Sequence, residues 1–334
     1  VNGIAYLTHW RAAGGPQLLA IDTSGKIKSG WPVTLDGKLY WSDPQVGSDG
    51  TMFILSSNDE SADEQLWAFA PDGRARTGWP VAVPGIGAYR LGPEGTVVVW
   101  TLIDDVGELC SNPRRTLFTA LGADGKTLPG WPRGSTGFAS RPVIGADGTV
   151  YYVSERGNVY AHDRAGEVKD GWPVAVPGAG NGCGPASPYL APDGTIYVLG
   201  DIVEARSADG RARPGWPYRP EGSLTGSCGV TGFDTDCVSY PHAPTFGPDG
   251  TVYLIVFHPD SAGLRAEIVA VDRQGQLKAG WPYPLPIDPA SPRAGPLGVA
   301  RDGRLLVGSA DQYLQGTGAT ALLLTLDPDG RLSD

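Results

Sequence analysis

The stretch 142–173, PVIGADGTVYYVSERGNVYAHDRAGEVKDGWP, holds one complete unit of a repeat that runs through the chain. It opens with the apolar pair Val143-Ile144, turns at Asp147-Gly148-Thr149 and continues in a β-branched and aromatic run, Val150-Tyr151-Tyr152-Val153. A polar break precedes a second run, Val159-Tyr160-Ala161-His162-Asp163. A glycine turn at Ala165-Gly166 then leads a polar segment into Gly171-Trp172-Pro173. Asp-Gly between two such runs is the strongest short-range hairpin signal, because glycine reaches the positive φ that a tight turn demands. The unit therefore predicts inner strand, turn, second strand, loop, third strand, turn, outer strand and closing tripeptide.

Every part recurs in phase. Gly-Trp-Pro places its tryptophans at Trp31, Trp79, Trp131, Trp172, Trp216 and Trp281. The hairpin turn returns at Asp49-Gly50-Thr51, Glu94-Gly95-Thr96, Asp193-Gly194-Thr195, Asp249-Gly250-Thr251 and Asp302-Gly303-Arg304. The third strand carries a small central residue each time: Ala20, Ala68, Thr119, Ala161, Ala205, Ala270 and Thr325. A small centre suits a strand crowded by its neighbour. A period of this length built from short strands predicts an all-β fold, a β-propeller of four-stranded antiparallel blades.

Seven units are counted within one domain, 1–334, at about 1–34, 35–82, 83–134, 135–175, 176–219, 220–284 and 285–334. The first starts at its second strand and the seventh stops before any Gly-Trp-Pro. Six or eight blades are therefore the alternatives to seven. Placed at the outer-strand ends, the six tryptophans are expected to dock one blade on the next rather than to stack on a ligand. The 49 Gly and 30 Pro sit largely at fixed turn positions instead of marking disorder.

A net charge of −10 excludes the basic face that nucleic-acid binding needs. No apolar run of about 18 residues marks a transmembrane helix, and a monomer is expected. The cysteines are even in number and lie in loops. Cys228 and Cys237 flank an insertion, and a disulfide there would cut unfolded-state entropy by roughly 2–3 kcal/mol. Cys110 and Cys183 form a second candidate pair. Such usage points to a secreted, periplasmic or extracellular domain, the alternative being four reduced thiols in the cytosol.

The pattern in 142–173 resembles the PQQ-like, quinoprotein-type β-propeller repeat: a Pro-containing inner strand, Asp-Gly-Thr-x-Tyr, Tyr-Ala-x-Asp-x-x-Gly and a tryptophan. The resemblance covers the whole chain and implies that the repeated tryptophans dock between blades. The Gly-Trp-Pro ending is also similar to FG-GAP-type propellers of secreted bacterial proteins, whose Asp-x-Asp-x-Asp-Gly calcium loops this chain lacks. Quinoprotein dehydrogenases of this fold bind PQQ and calcium, and the alcohol-oxidising ones carry a vicinal disulfide that has no counterpart here. The same repeat also builds scaffolds and sensor domains with no cofactor, so fold likeness leaves function open.

Catalytic signatures are sparse. His9, His162, His242 and His258 show no metal-ligand spacing, and no metal site is expected. Gly226-Ser227-Cys228-Gly229 lacks the strand-to-helix setting of a nucleophile elbow. The better lead is the rim where segments enter the inner strands, holding Trp41, Tyr89, Arg90, Arg141, Tyr240, His242 and Arg293 around a central funnel. Aromatic faces with a few convergent polar groups suit ligands, and arginine forks suit carboxylate or phosphate. Three readings follow: a non-catalytic secreted or cell-surface binding, sensor or scaffold propeller for a small molecule or protein; a PQQ- and calcium-dependent or sugar-directed enzyme; and a purely structural propeller of a larger protein. The first needs no cofactor and leads.

Overall fold

The computed structural model describes residues 3–9, 15–35, 44–57, 64–84, 86–103, 115–135, 137–180, 185–224, 243–260, 263–285, 294–309 and 322–333. These residues form seven antiparallel sheets of three or four strands. The 3₁₀ turn Pro93–Gly95 is the one helical element among the described residues. No helix there is long and apolar enough to cross a membrane.

Contacts divide the chain into two compact units: Val1–Glu155 with Tyr160–Lys169, and Arg156–Val159 with Asp170–Asp334. The first unit contains three sheets entire. The first sheet is Ala5–His9, Gln17–Ile21 and Val33–Thr34, and the second is Gln45–Val46, Met52–Ser57, Glu64–Phe69 and Val81–Val83. The third is Ile86–Leu91, Val97–Ile103, Arg115–Leu121 and Arg133–Gly134. The division runs through the fourth sheet, Val143–Ile144, Val150–Val153, Asn158–His162 and Val174–Ala175. The second unit holds the fifth sheet, Pro188–Leu190, Ile196–Leu199 and Val203–Arg206, and the sixth, Thr245–Phe246, Val252–Asp260, Gly263–Val271 and Tyr283–Pro284. It ends in the seventh, Ala294–Val299, Leu305–Ser309 and Leu322–Leu326.

Strand alternation builds the core on both faces of a sheet at once. Met52 and Ile54 pack with Leu18 and Ala20 of the first sheet, whereas Phe53 and Leu55 between them pack with Tyr89, Val97 and Val99 of the third. In the second unit Tyr197, Leu199 and Ala205 meet Val252, Leu254 and Val256, and Tyr253 and Ile255 meet Leu305 and Val307. This explains why the second strands read as unbroken apolar runs. Those of the second to sixth sheets are buried on two sides, whereas Ala5–His9 of the first is largely exposed and Leu306 of the seventh faces outward.

The Gly-Trp-Pro segment is the joint between successive repeats. Trp31, Trp79 and Trp131 in the first unit donate their indole N–H to the carbonyls of Pro71, Ala123 and Arg164, each in the turn of the following repeat, at 3.0–3.2 Å. Trp172, Trp216 and Trp281 in the second unit do the same to Ala208, Arg273 and Pro328 at 3.1–3.2 Å. The glycine before the tryptophan is required by the close approach. A Cβ on Gly78, where φ is +88°, would lie 2.1 Å from the Asp124 carbonyl oxygen. One on Gly125 of that facing turn would lie 2.6 Å from the Gly78 oxygen. Two backbones touch here, and neither has room for a side chain.

Two sequence expectations are corrected. The outer strand follows Gly-Trp-Pro instead of preceding it: Val33–Thr34, Val81–Val83, Arg133–Gly134, Val174–Ala175 and Tyr283–Pro284 all come after the tripeptide. The residues before it make only single bridges, such as Phe69 with Ala75, because they close the preceding turn. In the third repeat the small central position is Ala120, not Thr119. Leu128 N–H bonds the Ala120 carbonyl as Arg76 N–H bonds that of Ala68, which sets the register.

Candidate functional site

Hairpin chemistry fixes the inner strands in place. In the Asp-Gly-Thr turns the aspartate accepts the threonine amide, Thr51 to Asp49 at 2.9 Å and Thr149 to Asp147 at 3.0 Å, and the threonine hydroxyl at 2.7–2.8 Å. A cation from the third-strand turn completes the clasp: Arg76 on Asp49 at 2.8 Å, Lys169 on Asp147 at 3.1 Å and, in the second unit, Lys278 on Asp249 at 3.0 Å. Desolvation alone would raise these carboxyls. The threonine and lysine contacts outweigh it and hold Asp147 and Asp249 down at about 2.

On this framework Ile86–Leu91 presents Tyr89 and Arg90 to opposite sides. Tyr89 is buried toward the second sheet and its hydroxyl donates to the Phe53 carbonyl at 2.7 Å. Its own carbonyl receives two donors, Gln45 Nε2 at 3.1 Å and Arg90 Nη1 at 3.0 Å. Arg90 is half-buried, and burial first, then the nearby charge of Arg141, lowers its pKa. Arg141 is exposed, just before Val143–Ile144. Ser140 is buried behind it, donating to the Arg141 carbonyl at 3.1 Å while accepting the Val153 amide at 3.0 Å. Neither arginine forms an ion pair with a carboxylate among the described residues. Two cations within electrostatic reach of each other and without a carboxylate partner are costly to fold around, and a partly buried, perturbed group such as Arg90 is of the kind that clusters at functional sites.

The sequence singled out Arg90, Arg141 and Tyr89, and the structure puts the two arginines within electrostatic reach of each other while turning the tyrosine ring into the packing. Trp41, Tyr240, His242 and Arg293 lie outside the described residues, as do all four cysteines, Cys110, Cys183, Cys228 and Cys237. His162 is buried: its Nδ1–H donates to the Gly166 carbonyl at 2.8 Å and its Nε2 faces the Tyr152 hydroxyl at 3.2 Å. In the second unit His258 pairs with Glu267 at 2.8 Å, and Arg265 reaches the same carboxylate. Among the described residues no group of three or more His, Cys, Asp or Glu gathers to hold a metal.

Glu64 went unnoticed in the sequence. It begins the third strand of the second sheet, is only 8% exposed, and accepts the Gly87 amide at 2.8 Å, three residues before Arg90. Burial pushes its pKa up to about 7, against the Gly87 hydrogen bond, which lowers it. Thr116 fills the equivalent role in the next repeat, accepting the Ala139 amide at 2.9 Å. The available signal was the last acid of the acidic stretch Asp59-Glu60-Ser61-Ala62-Asp63-Glu64, set at the head of a strand that continues apolar, Leu66-Trp67-Ala68-Phe69.

No family model matches the chain, and no curated protein matches it. Among solved structures it is similar to BamB from Moraxella catarrhalis, with 15% identity, 99% of this chain and 86% of that one covered, and a TM-score of 0.56. It is also similar to a eukaryotic initiation factor, with 11% identity, 98% and 72% covered, and a TM-score of 0.58. A puromycin hydrolase shows 16% identity over 100% of this chain and 53% of that one, at a TM-score of 0.52. Neighbours of this kind are β-propeller proteins, enzymes and non-enzymes among them, and at these identities the likeness is one of fold alone.

Proposed function

We propose that the chain is a non-catalytic binding propeller, one domain of seven blades joined by the six Gly-Trp-Pro docks. In this reading Arg90 and Arg141 take the anionic group, carboxylate or phosphate, of a small-molecule or protein ligand. The observation that carries it is that Ile86–Leu91 packs against Val143–Ile144, which puts Arg90 within electrostatic reach of Arg141, neither with a carboxylate ion pair among the described residues. Gln45 and one arm of Arg90 are spent on the Tyr89 carbonyl, and Arg141 is exposed beside them. An Arg fork matches planar or tetrahedral oxyanions, and an anion between the two would relieve their repulsion. The cysteine usage supports an oxidising compartment outside the cytosol for such a monomeric module.

The test is thermal unfolding with inorganic pyrophosphate and, separately, citrate. Ligand at about 100 times its Kd adds about 2.7 kcal/mol to the folded state. At least one of the two should raise Tm in the wild type and have no effect in Arg90→Gln/Arg141→Gln. Arg141→Gln alone should leave the ligand-free Tm equal or higher, since it removes a repulsion. No shift with either anion, or an undiminished shift in the double variant, would refute the reading. PQQ with calcium should leave Tm unchanged.

A further inference from the structure

The second unit holds a second candidate site, at the Asp-Gly-Thr turns and lined by neither Arg90 nor Arg141. Between the fifth and sixth sheets a cleft of about 240 Å³ opens. Its floor is the rings of Tyr197 and Phe246, whose centroids are 5.3 Å apart, and its walls include Pro192 and Pro248. Asp193 and Arg273 stand at its edge.

In the first unit the corresponding arginine is already engaged. There Arg164 donates to the Asp147 carbonyl at 2.9 Å and forks onto Glu94 of the preceding repeat at 3.0 and 3.3 Å. Glu94 reaches it from a residue with φ of +58°, a left-handed turn that aims the carboxylate outward. Arg273 occupies the same position in its own turn, Asp272-Arg273-Gln274-Gly275 against Asp163-Arg164-Ala165-Gly166. Opposite it, Asp193 is held inside its turn by the Thr195 amide at 3.0 Å and lies 3.8 Å from Arg213. The shorter acid is thus committed elsewhere. Arg273 makes no ion pair within 4.0 Å among the described residues, and with Arg213 it leaves two cations to one carboxylate.

We propose that this cleft binds a small organic monocarboxylate with a flat apolar body, its carboxylate taking on Arg273 the place that Glu94 takes on Arg164. The body lies against Tyr197 and Phe246. Size supports a single-ring acid, the cleft being smaller than the ~300–1,000 Å³ of drug-sized sites. A second negative charge would face Asp193 and is disfavoured.

Phenylacetate titrated into the whole chain, followed by ligand-observed NMR and calorimetry, tests this. Saturable binding is expected, weakened about tenfold or more in Arg273→Gln, by an intermediate factor in Arg273→Lys, and reduced by added salt. Acetate, without the ring, and phenethylamine, with the opposite charge, should show no saturable binding. Arg273→Gln should change Tm little, because the side chain is exposed and acts on Asp193 only at a distance, without an ion pair within 4.0 Å among the described residues. Absence of saturable phenylacetate binding, equal binding in Arg273→Gln, or equal binding of phenethylamine would overturn the proposal.

Discussion

Glu64→Gln should make this protein more stable at neutral and alkaline pH and leave it nearly unchanged in mild acid. The carboxyl is 8% exposed and its pKa rises from 4.5 in the unfolded chain to about 7 when folded. A raised acid binds protons more tightly in the folded state. Stability therefore falls as pH climbs through the interval between the two values, and the penalty is complete above the folded one. At 1.36 kcal/mol per unit, the change from about pH 5 to about pH 8.5 is about 2–3 kcal/mol for full burial. Glutamine keeps an oxygen for the Gly87 amide and removes the charge, so it recovers most of that loss at high pH. Glu64→Ala differs: it leaves the Gly87 N–H without an acceptor, at about 1–3 kcal/mol, at every pH. Urea unfolding midpoints of the three proteins across this range, with hydrogen exchange of the Gly87 amide as the local readout, provide the assay. A wild-type midpoint that does not fall with rising pH, or a Glu64→Gln profile parallel to it, would refute the reasoning. The effect touches function through geometry, since Gly87 and Arg90 share the strand Ile86–Leu91.

Other consequences can be measured in the same way. Gly25 has φ of +80° and nothing within 4 Å of a Cβ, so Gly25→Ala should cost only the left-handed backbone, about 1 kcal/mol, whereas Gly78→Ala adds the clash with Asp124 and should cost at least about 3 kcal/mol; equal denaturation midpoints would contradict the close approach. Trp79→Phe loses the hydrogen bond to the Ala123 carbonyl and should lower stability by about 1–2 kcal/mol, read from urea midpoints. Asp147 and Asp249 titrate at about 2 against 3.8 unfolded, so their stabilisation is whole above about 4 and disappears as pH falls through 2. Both are more than half exposed, which limits each to under about 1 kcal/mol after solvent screening. Lys169→Met/Lys278→Met should accordingly move the acid-unfolding midpoint to higher pH. Thiol titration of denatured, unreduced protein should find no free thiol among its 4 cysteines.

Turns and strands were legible because their causes are local. Asp147-Gly148-Thr149 folds as its own sequence dictates, with the aspartate capping the threonine amide two residues on, and glycine at φ +83°. The order of strands within a sheet follows from such hairpins. The position of the outer strand is not legible, because hydropathy does not distinguish the polar residues before Gly-Trp-Pro from the short strand after it. That choice is made by pairing with the third strand: Val81 finds Leu66, and Ala75 meets only Phe69. Thr119 and Ala120 are hard to tell apart for a related reason. Either residue is small, and the register is set by the Leu128–Ala120 backbone bond.

By itself, then, the sequence determined an all-β repeat: its turns, the apolar runs of its second strands and the residues that punctuate it. Tertiary structure alone decided the chemistry at the candidate sites, because each is made by residues of different repeats. Arg90 and Arg141 are 51 positions apart in the chain and come within electrostatic reach only when Ile86–Leu91 packs against Val143–Ile144. Glu64 becomes a group titrating near neutrality only once buried beside Gly87. Arg164 and Arg273 hold the same place in the repeat, yet one is clamped by Glu94 and the other is left facing a cleft. Desolvation and charge proximity depend on distance in space, and a repeat pattern records only distance along the chain.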